Sequence, residues 1–446
     1  MHKNKCERNK TMSKKNLLPI SVLIVISGAM FSSHFGVGDL IFPPILGRGA
    51  GTSWFTAALG YLIVNSIGVW LAYMACAHQN QSLTGIASKT LGNFFGKIYT
   101  AIPILIVVFF ILPRVSSATH EMAILPLLPT VPLWLTLAVF FLICFYVAYT
   151  RATVIDKLGK ILAPILVLFV VILAVKGIAT PLSAPQAPNS TNILSTGMLE
   201  AYNTMNAIAA LLFGGWVLHE LNIRNIKTKE DQNRNLNIIG FSTAVLLGIT
   251  STVLVYLGAS SGSSFPDASI GILSTNIAQG LLGQVGLVSF AVIMAFSCLT
   301  TAAAIISMAG DMFLEMTNNK MNYRLTVTLA TIIGFTLGLV GLSKIVKYTV
   351  PWLVLLYPSI VVLILSALYY NFAKIKNSVT VGVIVALIFG LGDMLSFYGL
   401  TSNIITKIAS GLPLGGQGLG WVLPTVIIMG IAQLIFKPKI EEEKSL

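Results

Sequence analysis

The stretch S-H-F-G-V-G-D-L-I-F-P-P occupies residues 33–44, at the end of the first long apolar run of the sequence. A helix in hydrocarbon must satisfy all of its own backbone groups. This stretch has two glycines that loosen the helix, two prolines that lack amide donors, and the ionisable residues His34 and Asp39. We therefore predict a helix broken near Phe35–Gly38, whose free backbone lines a polar cavity. Broken helices that present their ends to substrate and ion are typical of secondary transporters.

A kink needed only for helix packing is the alternative interpretation of this stretch. Glycine and proline are enough to produce a kink, and neither requires a neighbouring aspartate. An ionisable residue within a membrane span is a functional hypothesis by default, because burying it in lipid is costly. Asp39 therefore favours the functional interpretation.

The composition predicts a polytopic membrane protein. The 446 residues are 55% hydrophobic and only 10% charged, whereas charged residues make up about 25% of an ordinary globular chain. Apolar runs of about 20 residues, enough to cross a bilayer as helices, recur along the chain. We predict an all-α protein with twelve spans, at 17–46 (interrupted), 53–76, 98–124, 132–150, 158–178, 194–218, 236–260, 284–310, 325–342, 346–370, 379–397 and 421–436.

The net charge of +13 is a topology signal and not a nucleic-acid footprint. With the N-terminus in the cytoplasm, 22 of the 28 Lys and Arg residues fall in the tails and loops on that side. We expect a protein of the cell membrane, bacterial in origin, with cytoplasmic tails at 1–16 and 437–446. The Gly-, Ser- and Pro-rich loops Ser260–Gly283 and Tyr398–Gly420 are expected outside, where either could cover the outer mouth.

The sixth predicted span resembles the first in its unusual polarity. It contains a Gly214–Gly215 pair and the polar residues Glu200, Tyr202, Asn203, Thr204 and Asn206. Two polar, glycine-interrupted spans five apart indicate two inverted halves with a binding site between them. The single membrane domain, 17–436, is then divided into a first repeat (17–178), a second repeat (194–370) and two additional helices (379–436).

A cluster of hydroxyl side chains lies in the eighth predicted span. Ser297, Thr300 and Thr301 are spaced i, i+3 and i+4, so they share one helical face. Their oxygens could join carbonyls of the broken first helix around a sodium ion. Bonding of each hydroxyl to a carbonyl of its own helix is the alternative, and the residues alone favour it.

The third predicted span carries two charges of opposite sign. Arg114 and Glu121 are two helical turns apart, so they share a face without pairing directly. Arg114 could anchor a substrate carboxylate, pair with Asp39 or hold helices together, and a structural ion pair is the favoured role. Glu121 is a candidate proton-coupling group. His34 and His120 are more typical of hydrogen-bonded packing residues than of proton carriers.

Signatures of soluble enzymes are missing from the sequence. It contains no G-x-x-x-x-G-K-[ST] phosphate loop, no H-E-x-x-H zinc pair and no G-x-S-x-G nucleophile motif. We therefore expect a transporter without a cofactor, not an enzyme. A channel would need a continuous polar pore, and an intramembrane enzyme would need a reactive cluster facing the headgroups; the sequence shows neither pattern.

Several motifs resemble the branched-chain amino acid:cation symporter family, within the amino acid–polyamine–organocation-like transporters. The first-span motif F-G-A-G-N-L-I-F-P-P of that family is similar to residues 35–44, and its Y-N-T-M-D-A-L-A is similar to residues 202–209. The resemblance extends to the third span and beyond, through Pro113–Arg114, S-C-L-T-T (297–301), Leu356–Pro358 and Gly411–Trp421.

The resemblance implies a leucine-transporter-like inverted repeat that imports leucine, isoleucine and valine together with a cation. Sodium is the expected cation, with a proton-coupled symporter of another small amino acid as the alternative. No obligate protein partner is expected. The implied substrate site comprises Gly36, Val37, Gly38, Tyr202, Asn203 and Asn206. The implied cation site comprises Phe35, Asp39, Ser297, Thr300 and Thr301, and the supporting intramembrane charges are Arg114, Glu121 and His34.

The chain departs from the family pattern at two positions. Asp39 stands where the family has Asn in the first break, and Asn206 stands where it has Asp in the sixth span. The two changes leave the number of carboxylates unchanged. Our hypothesis is that both positions face one cavity and that the carboxylate has moved from one helix to the other.

Overall fold

The protein is all-helical throughout the part that its computed structural model describes. That part comprises residues 17–150, 154–317, 320–369, 372–400 and 404–436, so both predicted tails lie outside it. No strand occurs in these ranges, and the predicted all-α fold class is confirmed.

The described part of the first half of the chain contains nine α-helices. Short π-helical turns at Ile63–Ile67, Val107–Ile111 and Thr119–Ile124 continue some of them. The helices are α1 (Ile20–His34), α2 (Val37–Ala50), α3 (Trp54–Leu62), α4 (Gly68–Gln79), α5 (Leu83–Leu91), α6 (Asn93–Ile106), α7 (Leu112–Ala118), α8 (Leu133–Thr150) and α9 (Val154–Ala179).

The second half of the described chain contains nine more. Each predicted span of this half coincides with a helix or a pair of helices. They are α10 (Ile193–Tyr202), α11 (Asn206–Ile223), α12 (Lys229–Ala259), α13 (Leu273–Met316), α14 (Tyr323–Gly338), α15 (Leu342–Ala367), α16 (Phe372–Phe397), α17 (Ile404–Gly411) and α18 (Val422–Ile435).

Many of these helices can cross a bilayer. Within the described ranges, seven helical stretches are long and apolar enough by length and composition alone. They are Val37–Gln79, Asn93–Ile124, Leu133–Thr150, Lys229–Ala259, Leu273–Leu314, Leu342–Ala367 and Ile375–Phe397. Four shorter apolar helices of the described residues coincide with other predicted spans. They are Ile20–His34, Pro164–Ala179, Tyr323–Gly338 and Val422–Ile435. The sixth predicted span is divided between α10 and α11.

The two predicted outer loops are not entirely irregular. The loop Ser260–Gly283 contains the first turns of α13. Gly283 has a positive φ of 61° and separates these turns from the membrane-crossing part of that helix. The loop Tyr398–Gly420 contains α17. Helix formation in these loops was not predicted because their glycine and serine content is typical of turns.

The N-terminal part of α13 compensates for Pro44 of α2. Pro44 has no amide hydrogen, so the carbonyl of Leu40, four residues earlier, lacks its helical donor. The hydroxyl of Ser274 donates a hydrogen bond to this carbonyl. Pro44 is thus tolerated in a buried helix because a neighbouring helix satisfies the carbonyl that it leaves free.

Close backbone contact joins α2 to α12. A Cβ added to Gly47 would overlap the carbonyl of Val255, and a Cβ added to Gly258 would overlap the carbonyl of Pro44. The two helices can approach this closely only because each offers a glycine to the other, as small residues do at membrane helix interfaces. This contact holds α2, the second half of the first span, against the seventh span.

Replacing Gly47 with alanine should therefore destabilise the protein by about 1–3 kcal/mol, the usual cost of overpacking a well-packed site. Gly49→Ala is the matched control, because nothing lies within 4 Å of the added Cβ on the same helix. Thermal unfolding in detergent, followed by intrinsic fluorescence, measures both variants. Equal melting temperatures for the two would contradict the close contact.

Candidate functional site

The first span is broken at Phe35 and Gly36, as the sequence predicts. Helix α1 ends at His34 and α2 begins at Val37, and Gly36 between them is extended (φ −111°, ψ −161°). The first amides of α2, at Val37 and Gly38, therefore have no helical acceptor. Asp39 lies in the first turn of α2, where the helix dipole favours a negative charge.

The sixth span is broken at Asn203–Met205. Helix α10 ends at Tyr202 and α11 begins at Asn206. Met205 has a φ of 60°, a left-handed conformation that a residue with a side chain rarely adopts and that costs of order 1–3 kcal/mol. Strain of this kind persists only where surrounding structure maintains it, and it is concentrated at functional sites.

The two breaks meet through Asp39 and Asn206. The Asn206 side-chain amide donates to both carboxylate oxygens of Asp39, at 3.0 and 3.1 Å. Asp39 is 1% exposed and Asn206 is 2% exposed, so the contact is shielded from solvent. The structure thus places side by side the two positions at which this chain departs from the family pattern.

Three further polar side chains complete what we call the Asp39 network, consisting of Asp39, Asn206, Asn65, Thr204 and Ser251. Asn65 donates to an Asp39 oxygen and to the Ser251 hydroxyl, both at 3.1 Å. The side-chain oxygen Oδ1 of Asn65 accepts from Asn206 at 2.8 Å and from Thr204 at 2.9 Å. Spans one, two, six and seven are therefore joined at one buried carboxylate.

His34 extends the network toward α4. Its Nδ1 lies 3.3 Å from Asn206 Oδ1, and its Nε2 lies 2.9 Å from the Tyr73 hydroxyl. An ionised Asp39 only accepts, so the amide nitrogen of Asn206 faces it and the amide oxygen faces His34. This assigns the hydrogen to Nδ1 and makes Nε2 the acceptor from Tyr73. His34 is thus a hydrogen-bonded residue beside the break.

The hydroxyl cluster of the eighth span faces the first break. The Ser297 hydroxyl lies 3.4 Å from the carbonyl oxygen of Phe35. A Cβ built on Gly36 would lie 3.7 Å from Thr301 Oγ1. Thr300 differs, since its hydroxyl donates to the Ser297 carbonyl of its own helix at 2.9 Å. The structure therefore brings Phe35, Ser297 and Thr301 together. The Thr300 hydroxyl is instead bonded within its own helix.

Tyr202 ends α10, and Asn203 is the first residue of the sixth-span break. The Tyr202 ring stacks on Tyr357 of α15, with 4.0 Å between ring centroids and 7° between planes. The Asn203 side-chain amide donates to Glu200 at 2.7 Å. These contacts place the rings and the free backbone of the break next to each other.

Arg114 and Glu121 take separate roles. Arg114 donates to the carbonyl oxygen of Asn203 at 2.8 Å and lies over the Phe42 ring, so it contacts both broken spans. No carboxylate oxygen in the described ranges lies within 4.0 Å of its guanidinium nitrogens, so the favoured structural ion pair is not formed. Glu121 accepts from the backbone amide of Leu342 at 3.1 Å, which caps the start of α15.

No role was predicted from the sequence for Asn65, Ser251 or Tyr73. A lone amide within the apolar span 53–76 is the signal that could have found Asn65, because an unpaired amide in a membrane span is costly. Ser251 and Tyr73 carry no such signal. A serine or tyrosine in a span commonly bonds to its own helix or packs as an apolar side chain.

Comparison with known proteins places the chain in a family. A family model described as "Branched-chain amino acid transport protein" matches residues 20–439. The branched-chain amino acid permease BraB of Bacillus subtilis is 28% identical over 437 residues, which are 95% of this chain and 97% of that protein. The branched-chain amino acid permease BrnQ of Escherichia coli K12 is 26% identical over 423 residues, 92% of this chain and 94% of that one.

Solved structures show the same fold. Mhp1, a nucleobase-cation-symport-1 family transporter, superposes in a closed conformation with a TM-score of 0.61 and 12% identity, over 94% of each chain. A manganese transporter of Eremococcus coleocola gives a TM-score of 0.59 and 14% identity, over 94% of this chain and 99% of that one. The identities are too low to carry function. Because the family model spans nearly the whole chain, the protein is a multi-pass membrane transporter and belongs to the branched-chain amino acid transport protein family.

Proposed function

We propose that the protein is a secondary active transporter that imports branched-chain amino acids such as leucine, isoleucine and valine by symport with sodium. The observation that carries the proposal is the meeting of two broken helices at Asp39 and Asn206. Half-helix ends and free backbone at membrane depth suit a substrate that carries both charges. The names of relatives such as the permeases BraB and BrnQ, which are described as branched-chain amino acid permeases, support the choice of substrate.

The substrate occupies the junction of the two breaks. Its carboxylate meets the free amides at the start of α2, at Val37 and Gly38, where the helix dipole favours an anion. Its ammonium meets the carbonyl groups left free in the sixth span and the amide oxygen of Asn206. Its aliphatic side chain lies against apolar surface, to which the stacked rings of Tyr202 and Tyr357 contribute.

The cation binds where the first break faces the eighth span. The carbonyl of Phe35 and the hydroxyls of Ser297 and Thr301 gather oxygens from two spans, and oxygen ligands suit a hard cation. Thr300 joins this set only if its hydroxyl leaves the Ser297 carbonyl. Asp39, one turn along α2, supplies a second cation contact.

Transport proceeds by alternating access around this junction. Broken helices allow the halves of a span to move separately while the site between them is retained. We infer that the broken first and sixth spans open two inverted repeats of five spans each. The excess of basic residues in the tails and in one set of loops supports an orientation with both termini in the cytoplasm.

Purified protein in liposomes should accumulate radiolabelled leucine when an inward sodium gradient is imposed. Replacing either Ser297 or Thr301 with alanine should raise the sodium concentration for half-maximal uptake by about tenfold, the effect of losing one hydrogen-bond-sized contact. Thr336→Ala is the control, because that hydroxyl bonds only to carbonyls of its own helix on an exposed face of α14.

Two results would contradict this account. Leucine flux that never exceeds equilibrium would indicate a channel. Accumulation driven by a proton gradient in sodium-free buffer would show that the coupling cation is the proton and not sodium.

The contact between Asp39 and Asn206 predicts a recovery by exchange. Asp39→Asn should lower uptake by about 100-fold, since it removes the buried charge that the amide network stabilises. Asp39→Asn combined with Asn206→Asp restores one carboxylate and one amide to the same pair, so part of the activity should return. Initial rates at matched protein density in liposomes give the comparison.

Asn206→Asp alone is the control for this exchange. It places two carboxylates in contact, and it should be as defective as Asp39→Asn because like charges repel at this distance. If the double variant is no more active than either single variant, the two positions do not share one function.

A further inference from the structure

Arg114 is a buried cation between the two breaks. Arg114 is 2% exposed and lies in α7, a seven-residue helix flanked by π-helical turns. Such turns are rare and frequently mark functional sites. The Arg114 side chain contacts the carbonyl of Asn203 in the sixth span and the ring of Phe42 in the first.

The positive charge of Arg114 is not neutralised by an adjacent carboxylate. Asp39 interacts with it electrostatically, yet no carboxylate oxygen of the described residues is within 4.0 Å. A guanidinium has five N–H donors, and here Nη1 bonds to a neutral carbonyl while Nε has no hydrogen-bond partner. Buried charges in proteins are ordinarily paired, so this donor surface is suited to an anion from outside the chain.

The N-terminus of α2, which also attracts anions, lies beside the Arg114 guanidinium. The free amides at the start of α2 are those of Val37 and Gly38, and a Cβ built on Gly38 would lie 3.3 Å from Arg114 Nη2. The absence of a side chain at this position leaves the helix end and the guanidinium facing each other. The Tyr61 hydroxyl, which also interacts electrostatically with Arg114, is buried without a hydrogen-bond partner.

We propose that Arg114 binds the α-carboxylate of the substrate together with the N-terminus of α2. The inference rests on the proposed function, since it names the group that recognises one end of the transported amino acid. Arg114 is then a specificity-determining residue: a free carboxylate is accepted, and the same amino acid with a neutral amide in its place is rejected. Its bond to Asn203 links carboxylate binding to the sixth-span break.

The test compares leucine with leucinamide, which keeps the ammonium and the side chain but has no carboxylate. Binding of each to purified protein is measured by calorimetry in saturating sodium at pH 6.5. Wild-type protein should bind leucine at least about 30-fold more tightly, as expected for loss of a charge-assisted contact. In Arg114→Gln this ratio should fall by about tenfold, with leucinamide affinity nearly unchanged, because only the amides at the start of α2 still favour the carboxylate.

Two further variants make the result decisive. Arg224→Gln is the matched control, because Arg224 pairs with Glu220 on an exposed part of the chain, and it should keep the full ratio. Arg114→Lys keeps the charge without the planar fork of donors and should retain an intermediate ratio. If Arg114→Gln does not yield folded protein, Arg114→Lys decides the question.

An unchanged leucine-to-leucinamide ratio in either Arg114 variant would overturn the inference and assign Arg114 only to holding Asn203. This outcome leaves the proposed function intact, since leucine is still bound. Failure of wild-type protein to bind leucine at all would contradict the proposed function and the inference together.

Discussion

Satisfying one buried carboxylate is the constraint on which the rest of the structure depends. Asp39 lies where neither lipid nor solvent can stabilise its charge, so the protein must do so. It accepts hydrogen bonds from Asn65 and Asn206, and those amides are in turn held by Thr204, Ser251 and His34. Four separate spans are thereby fixed relative to one another at the point where two of them lose their helical backbone.

The helix breaks and the polar network require each other. An unwound backbone in a membrane protein is tolerated only where protein or a cavity satisfies it. Arg114 donates a hydrogen bond to the carbonyl of Asn203, and Ser274 donates one to the carbonyl of Leu40. The Ser297 hydroxyl lies 3.4 Å from the carbonyl of Phe35. Side chains from distant parts of the sequence thus replace the missing helical bonds. The free groups that remain, at the start of α2 and on Arg114, are the ones available to a ligand.

The breaks themselves could be predicted from the sequence because their causes are local. Gly36, Gly38 and the proline pair weaken the first span wherever they are placed, and the polar run 202–206 marks the sixth. Partners could not be predicted in the same way. Asn65 meets Asp39 only after spans one and two have packed, and no spacing rule connects residues 26 positions apart on different helices.

Arg114 and Glu121 show the same limit. Their shared helical face was evident from a spacing of seven, yet each finds its partner on another span, at Asn203 and at the start of α15. The hydroxyl cluster of the eighth span could be predicted in part. Its common face follows from the helical repeat, whereas its position opposite Phe35 depends on the tertiary structure.

The central claim is that the substrate lies at the junction of the two breaks. An experimental structure of the protein with leucine and sodium tests it most directly. The account predicts density for the amino acid between Gly36–Gly38 and Tyr202–Asn206, with its carboxylate toward α2. Density instead in the cavity of about 360 Å³ that Ser53, Thr56 and Gln417 help to line, with the junction empty, would contradict it.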